Sequence, residues 1–225
     1  MSTIRVVALD GPVTELHSHL SAPLIVGIGG TARPNSTSER AVAEALRCAR
    51  QQGAETRLFD GEFVSGLPLY VPERKERTAA ERDFVATMRR CNGVIVATPG
   101  YHGSLSGPIK NILDLLEDTA RDECPYLDGR AFGCVVTASG WQTCGTTLMS
   151  LRMIAHALRA WPTPFGAALN ATTPLFEADG SCIDARTAQQ LAVVARQVVE
   201  FALHRAAGLA ARQSAAVGNR PASVL

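Results

Sequence analysis

The sequence predicts a doubly wound α/β fold, in which helices cover both faces of a parallel sheet. Short, unbroken apolar runs alternate with amphipathic stretches from residue 24 onward, as is typical of strands buried on both faces. Five such β/α units follow one another, and this favours the strand order 2-1-3-4-5. With 225 residues, the chain is long enough to form one domain with a full core.

Each unit can be placed on the chain by its periodicity. Strands are predicted at residues 23–28, 55–59, 93–98, 131–138 and 163–169. Helices with apolar residues at three- and four-residue spacing are predicted at 37–52, 78–90, 106–118, 144–159 and 186–207. Residues 4–12 have strand character but precede the first unit, so an extra N-terminal strand or arm is expected. The predicted organisation is an N-terminal extension at 1–22, the α/β domain at 23–207 and a flexible tail at 208–225.

Composition and charge restrict the partners of this chain. The 22 basic residues are scattered and the formal net charge is +1, which argues against a nucleic-acid binder and against a highly acidic electron carrier. No run approaches the roughly 20 apolar residues that span a bilayer. No signal-peptide pattern occupies the first 20 residues, so no membrane partner and a cytoplasmic location are expected. The six cysteines form no CxxC pair and are interpreted as reduced structural thiols, and no metal site is predicted.

The loop after the first predicted strand, residues 30–36, is unusually rich in polar groups and is called the first loop below. Together with the start of the next helix it reads GTARPNSTS, and its side chains Thr31, Arg33, Ser36 and Ser38 can surround a phosphate monoester at the helix N-terminus. The alternative is that Ser36 only caps the helix, with Glu39 closing a capping box. Capping explains Ser36 and Glu39 but leaves the other three residues without a role, so we favour the anion site.

A dinucleotide-binding turn is a second alternative at the same place. Residues 27–32, GIGGTA, match the pattern GxGxxA, and Asp60 ends the second strand where a Rossmann fold places its ribose-binding acid. In that fold the helix begins among the glycines, which leaves little room for a long loop containing Pro34. The dinucleotide interpretation also gives no role to the loop after the third strand.

The loops after the third and fourth strands suit a flat ring. Pro99, Gly100 and Gly103 bring backbone groups close to a ligand edge, and Tyr101 and His102 can cover it. The run ASGWQTCGT after strand four again leads into a helix, whose N-terminus would stabilise negative charge on the ring. Trp141 is interpreted either as a lid or as a subunit-interface anchor.

Three further residues near these loops are not assigned to catalysis. Cys144 has no histidine near it in sequence, so an inert thiol is expected. Lys110 and Asp114, one helical turn apart, are expected to form a helix-surface pair.

These residues together resemble the NAD(P)H-dependent FMN reductases of the flavodoxin-like superfamily. The family's G-S-x-R-x-x-S-x-N/S loop corresponds to residues 30–38, with Thr31 in the serine position. The family's P-x-Y-x-x-S-x-x-G-x-x-K-N-x-x-D motif is matched by Pro99, Tyr101, Ser104, Gly107, Lys110, Asn111 and Asp114. Its glycine-rich turn after strand four is matched loosely by Ser139, Gly140 and Gly145. The chain departs from the family at Gly100, where many members have Glu, and at His102, where many have Asn.

The resemblance implies an enzyme that transfers a hydride from NADPH or NADH to FMN, without a catalytic side chain. The implied FMN-binding residues are Thr31, Arg33, Ser36, Ser38, Pro99, Gly100, Tyr101, His102, Gly103, Ser104, Ser139, Gly140 and Trp141. The reduced flavin would serve a partner monooxygenase or a small acceptor. The alternatives are a quinone or azo-compound reductase with tightly held FMN, and a flavodoxin-type carrier without catalytic activity. A homodimer or homotetramer is implied by the resemblance alone.

Overall fold

The protein is described by a computed structural model that covers residues 21–218. Ala22–Ala202 forms one compact unit, and residues 203–218 belong to a second unit. The strand or arm predicted at the N-terminus falls on residues 1–20, outside the described residues. No helix in the described range is long and apolar enough to cross a membrane.

The sheet has the predicted parallel order. Its four longer strands are β1 (Leu24–Gly29), β2 (Glu55–Phe59), β3 (Gly93–Tyr101) and β5 (Ala131–Ala138). They lie in the order β2-β1-β3-β5, and β6 (Trp161–Pro162) and β7 (Ala167–Asn170) both pair in parallel with the outer side of β5. This arrangement is the predicted 2-1-3-4-5 sheet with its fifth strand divided in two. The prediction of a flavodoxin-like doubly wound sheet is confirmed.

The division of the fifth strand corrects the prediction of a continuous strand at 163–169. Two residues of β5 face four residues of the outer strand between the pairs Phe132↔Pro162 and Val135↔Ala167. The extra residues include Pro164, which has no N–H to donate, and Gly166, where a Cβ would lie 2.8 Å from Leu148 Cδ1. The chain therefore bulges at residues 163–166 before pairing resumes.

Helices cover both faces of the sheet. They are α1 (Thr37–Gln51), α2 (Gly61–Gly66), α3 (Ala79–Arg90), α4 (Gly107–Asp114), α5 (Trp141–Ala157) and α6 (Ala185–Gly218), with a 3₁₀ turn at Leu115–Thr119 after α4. The short helix α2 was not predicted, because its six residues are too few to show a helical period. Helix α5 begins three residues before its predicted start. Helix α6 continues past residue 207 through an alanine-rich segment of high helix propensity, so residues 208–218 of the predicted flexible tail are helical.

Glycines in the strands let the helices approach closely. A Cβ at Gly27 would lie 2.6 Å from Leu46 Cδ1 of α1, and one at Gly133 would lie 2.6 Å from Val194 Cγ1 of α6. The opposite face packs against α3, α4 and α5 through a large apolar cluster that includes Phe84, Ile109 and Leu151. Because helices cover both faces of the sheet, polar side chains can meet a ligand at the loops that follow the carboxyl ends of the strands.

A tight hairpin extends β3 beyond the sheet. The two-residue strand β4 (Ser104–Leu105) pairs antiparallel with Gly100 and Tyr101. The connecting residues His102 and Gly103 have φ angles of 51° and 87°, as a type I′ turn requires at both central positions. The hairpin was predicted only as a loop.

Candidate functional site

Three of the predicted loops meet around one cleft. The cleft has a volume of about 410 Å³ and lies at the carboxyl ends of β1, β3 and β5. It is lined by Thr31, Arg33, Ser36, Thr37, Ser38, Pro99, Gly100, Tyr101, His102, Thr137, Ala138, Ser139, Thr143 and Ala171. Nine of the thirteen residues predicted to bind the ligand are in this lining. The other four, Gly103, Ser104, Gly140 and Trp141, lie in the same loops but do not line the cleft.

The first loop delivers hydroxyl groups to the start of α1. Ser36 caps the helix by accepting a hydrogen bond from Glu39 N at 3.4 Å, and its hydroxyl lies 3.4 Å from that of Ser38. Both serines are buried, whereas Arg33 is exposed at the mouth of the cleft. Thr31 Oγ1 accepts from Arg33 N at 3.1 Å, which folds residues 31–33 into a tight turn. Asn35 has a φ of 53°, a left-handed conformation that asparagine adopts more readily than most residues.

The capping box considered for Ser36 and Glu39 does not form. The Ser36 half is present, but the Glu39 carboxylate turns to Gly61 and accepts from its backbone N at 3.3 Å. A complete capping box occurs instead at Thr78 and Glu81, at the start of α3.

The geometry also excludes the dinucleotide turn. Gly27 and Gly29 lie within β1, where their lack of side chains admits Val42 of α1. Helix α1 begins only at Thr37, well after the glycines. Asp60 caps α2 by accepting from Phe63 N at 2.9 Å, and it does not line the cleft.

The β3–β4 hairpin forms the second wall of the cleft. Tyr101 is 55% exposed, so its ring is available to cover a ligand. Gly100 packs against α5, where an added Cβ would lie 2.8 Å from Thr147 Oγ1 and 2.9 Å from Thr143 Cγ2. Gly100 therefore sets how closely the hairpin approaches α5.

The start of α5 forms the third wall. Gly140, at the N-cap, has a φ of 135° and no side chain with which to cap the helix. The first turn of α5 thus keeps uncapped N–H groups and a partial positive charge near Ser139 and Thr143, both of which line the cleft. Trp141 is 59% exposed outside it.

Five lining residues were not predicted: Thr37, Thr137, Ala138, Thr143 and Ala171. Thr137 and Ala138 are the last residues of β5. The predicted strand at 131–138 was therefore sufficient to place them at the carboxyl edge of the sheet. Thr143 was not predicted because α5 was expected to begin only at residue 144. Ala171 follows β7 and carries no polar side chain that would have marked it.

The residues set aside as non-catalytic have structural contacts. Cys144 is fully buried, its sulfur lies 3.4 Å from Leu169 O, and burial raises the pKa of its thiol, as is expected of an inert group. Lys110 and Asp114 form an ion pair on the surface of α4.

Asn111, between them on α4, holds the segment after α2 in place. Its side chain accepts a hydrogen bond from Tyr70 N at 2.7 Å and donates one to Pro68 O at 2.9 Å. No group of three or more potential metal ligands occurs among the residues that the structure describes.

Comparison with known proteins identifies the family. The family model described as NADPH-dependent FMN reductase matches residues 23–173, which contain all three walls of the cleft. The chain belongs to this family. It is therefore a flavin-dependent oxidoreductase that uses FMN and NAD(P)H.

Individual relatives are distant in sequence. The NADPH-dependent FMN reductase ArsH of Shigella flexneri is 26% identical over 194 residues, which are 86% of this chain and 74% of that protein. The solved structure of FerB, an NAD(P)H:(acceptor) oxidoreductase from Paracoccus denitrificans, superposes with a TM-score of 0.65 at 18% identity, over 82% of this chain and 99% of that one. The apo form of the NADH:FMN oxidoreductase EMOB gives 0.61 at 22% identity, over 81% and 90%. At these identities the two solved structures support the fold alone.

The residues of the cleft fit FMN. One end of the cleft offers hydroxyls, Arg33 and a helix N-terminus to a phosphate, and the hairpin and the start of α5 offer backbone groups and an aromatic ring to a flat heterocycle. Among the described residues that line it, none carries a carboxylate that would repel a phosphate.

Proposed function

We propose that this cleft binds FMN with its phosphate in the first loop and its ring against the hairpin. The observation that carries the proposal is that two buried serine hydroxyls, Ser36 and Ser38, lie at a helix N-terminus in a cleft whose described lining residues include no carboxylate. Bound FMN would supply the redox chemistry, taking a hydride from NAD(P)H and passing the electrons on.

The side chains then have distinct tasks. Thr31, Arg33, Ser36 and Ser38 hold the phosphate through hydrogen bonds, of which those from the Arg33 guanidinium are charge-assisted. Residues 99–104 and Ser139 position the ring, and the backbone N–H groups at the start of α5, which follows Gly140, stabilise negative charge that develops on it. No side chain is required to move a proton, so no catalytic base is proposed.

We further propose that the reduced flavin serves a second acceptor, either a partner monooxygenase or a small molecule. The exposure of Arg33, Tyr101 and His102 supports this, because it leaves the cleft open to solvent. A location in the cytoplasm is proposed with it.

The test is a set of assays on the purified protein. NADPH and NADH oxidation is followed separately at 340 nm, with and without added FMN, and FMN retention is measured by gel filtration. Oxidation that depends on added FMN, with little retention, is the expected result. Tight retention with rapid reduction of quinones or azo dyes would favour the alternative reductase. Binding of FMN without nicotinamide oxidation would contradict the proposed activity.

A further inference from the structure

The first loop rests on α2 through a contact between two glycines. A Cβ added to Gly30 would lie 2.5 Å from both N and Cα of Gly61, and a Cβ added to Gly61 would lie 2.2 Å from Thr31 O. Packed protein interiors do not contain contacts this short. Gly61 therefore cannot carry a side chain while the first loop keeps its path.

Glu39, in the first turn of α1, stabilises this contact. Its carboxylate Oε2 accepts from Gly61 N at 3.3 Å and would lie 2.9 Å from a Cβ at Gly61. The start of α1, the first loop and the start of α2 thus meet at Gly61, which is buried. Neither Gly61 nor Glu39 lines the cleft.

The contact is connected to the first-loop end of the cleft through Thr31. Thr31, whose backbone touches Gly61, also accepts from Arg33 N through its hydroxyl, and both residues line the cleft. A displacement of Thr31 would therefore move Arg33 with it. The three heavy atoms nearest to a Cβ at Gly61 belong to Thr31 and Glu39, and none of them belongs to the hairpin or to the start of α5, which would face the ring.

We propose that Gly61, together with Glu39, is a positioning residue that sets the preference of the cleft for a flavin phosphate over the same flavin without its phosphate. This inference rests on the proposed function, because it assumes that the first loop holds the phosphate. Displacing the loop removes phosphate contacts and leaves the ring contacts in place, so FMN affinity falls and riboflavin affinity does not.

The experiment compares Gly61→Ala with Gly66→Ala. Both glycines lie in α2, but no atom lies within 4 Å of a Cβ at Gly66. Dissociation constants for FMN and for riboflavin are measured by quenching of flavin fluorescence, with a thermal melt of each variant. Gly61→Ala is expected to raise the Kd of FMN about tenfold, with the Kd of riboflavin within about twofold of the wild type, since a displacement of an ångström suffices to lose aligned contacts. Gly66→Ala is expected to change neither.

A second pair of variants tests the same positioning role if Gly61→Ala does not fold. Glu39→Gln and Glu39→Ala both remove the negative charge, but only glutamine keeps an oxygen that can accept from Gly61 N. Glu39→Ala is expected to bind FMN several-fold more weakly than Glu39→Gln, with equal Kd values for riboflavin.

Two different failures can be told apart. If the wild type prefers FMN and Gly61→Ala keeps the full preference, or loses both flavins equally, the role assigned to Gly61 is wrong and the phosphate site stands. If Gly61→Ala does not fold, equal FMN binding by the two Glu39 variants would likewise show that this role is wrong. If the wild type binds riboflavin as tightly as FMN, the phosphate site itself is wrong.

Discussion

Ser36 and Ser38 bring two hydroxyls to the start of α1 with exposed fractions of only 2% and 1%. Buried hydroxyls normally have hydrogen-bond partners, and the 3.4 Å between the oxygens of these two exceeds the usual length of a hydrogen bond between hydroxyls. Each hydroxyl can donate one hydrogen bond and accept others, so both retain capacity for a stronger acceptor. A phosphate oxygen is such an acceptor, which is why these residues mark the anionic end of the cleft.

Replacement of Arg33 tests this assignment at a single residue. Arg33→Ala is expected to raise the Kd of FMN about tenfold or more, because a charge-assisted hydrogen bond contributes about 1.5–3 kcal/mol. Riboflavin, which has no phosphate, is expected to bind as before. Fluorescence titration measures both, and Arg90→Ala, an exposed arginine at the end of α3, is the matched control. An unchanged Kd for FMN would show that Arg33 does not bind the phosphate.

Replacement of Gly100 tests the packing of the hairpin on α5. Gly100→Ala is expected to lower the free energy of unfolding by about 1–3 kcal/mol, since its Cβ would overlap Thr143 and Thr147. Gly145→Ala, within α5, has no atom within 4 Å of the added Cβ and should raise it by about 0.5–1 kcal/mol. Urea unfolding gives both values. Equal effects at the two positions would show that the close approach at Gly100 has no energetic consequence.

Much of the site was predictable from the sequence because parallel strands end at one edge. Thr31 and Arg33 follow the first predicted strand and Tyr101 follows the third, and the strand order alone brings the two loops together. The contact of Gly30 with Gly61 was not predictable. It depends on α2, a helix too short to show a period, and on a Glu39 side chain whose local sequence favoured a capping box.

Strand β5 runs through the buried interior of the fold. All eight of its residues are buried, Cys134 among them, and burial raises the pKa of that thiol to about 12. The fold therefore holds Cys134 neutral at a pH at which the same thiol is ionised in the unfolded chain, where its pKa is about 8.5.

This difference predicts a loss of stability in alkali. Above about pH 9 the unfolded chain has released the Cys134 proton and the folded chain has not, so the free energy of unfolding falls by up to about 1.4 kcal/mol per pH unit from this group. The stability associated with the neutral Cys134 thiol is fully present below the pKa of the unfolded chain. It is lost as the pH rises toward the pKa of about 12 in the folded chain. Cys134→Ala is expected to flatten the slope between about pH 9 and 11.

Urea unfolding across that pH range measures the slope. Cys124→Ala is the control, since Cys124 is exposed. A slope in Cys134→Ala as steep as that of the wild type would contradict the assignment.

At the scale of the whole molecule, α5 presents an apolar stripe to solvent. Met149 lies eight residues after Trp141 on this helix and Met153 four residues after Met149, and the three are 59%, 61% and 65% exposed in chain order. Exposed apolar stripes of this kind commonly mark association surfaces. This supports the proposal that the chain forms a homodimer or homotetramer, and it favours a place for Trp141 at an interface instead of over the cleft.

A double replacement tests the association. Met149→Glu with Met153→Glu is expected to shift the protein to monomers, because two buried carboxylates without partners oppose association. Light scattering after size-exclusion chromatography measures the mass. The matched control replaces Gln51 and Gln189, exposed polar residues on α1 and α6, with Glu. A wild-type protein that is already monomeric would refute the proposed oligomer.

A crystal structure of the protein with bound FMN would show where the cofactor lies. We expect the phosphate within hydrogen-bond distance of the Ser36 and Ser38 hydroxyls and of the Arg33 guanidinium, with the ring against residues 99–104. A phosphate bound at the hairpin, or a flavin bound in another cleft, would contradict this expectation.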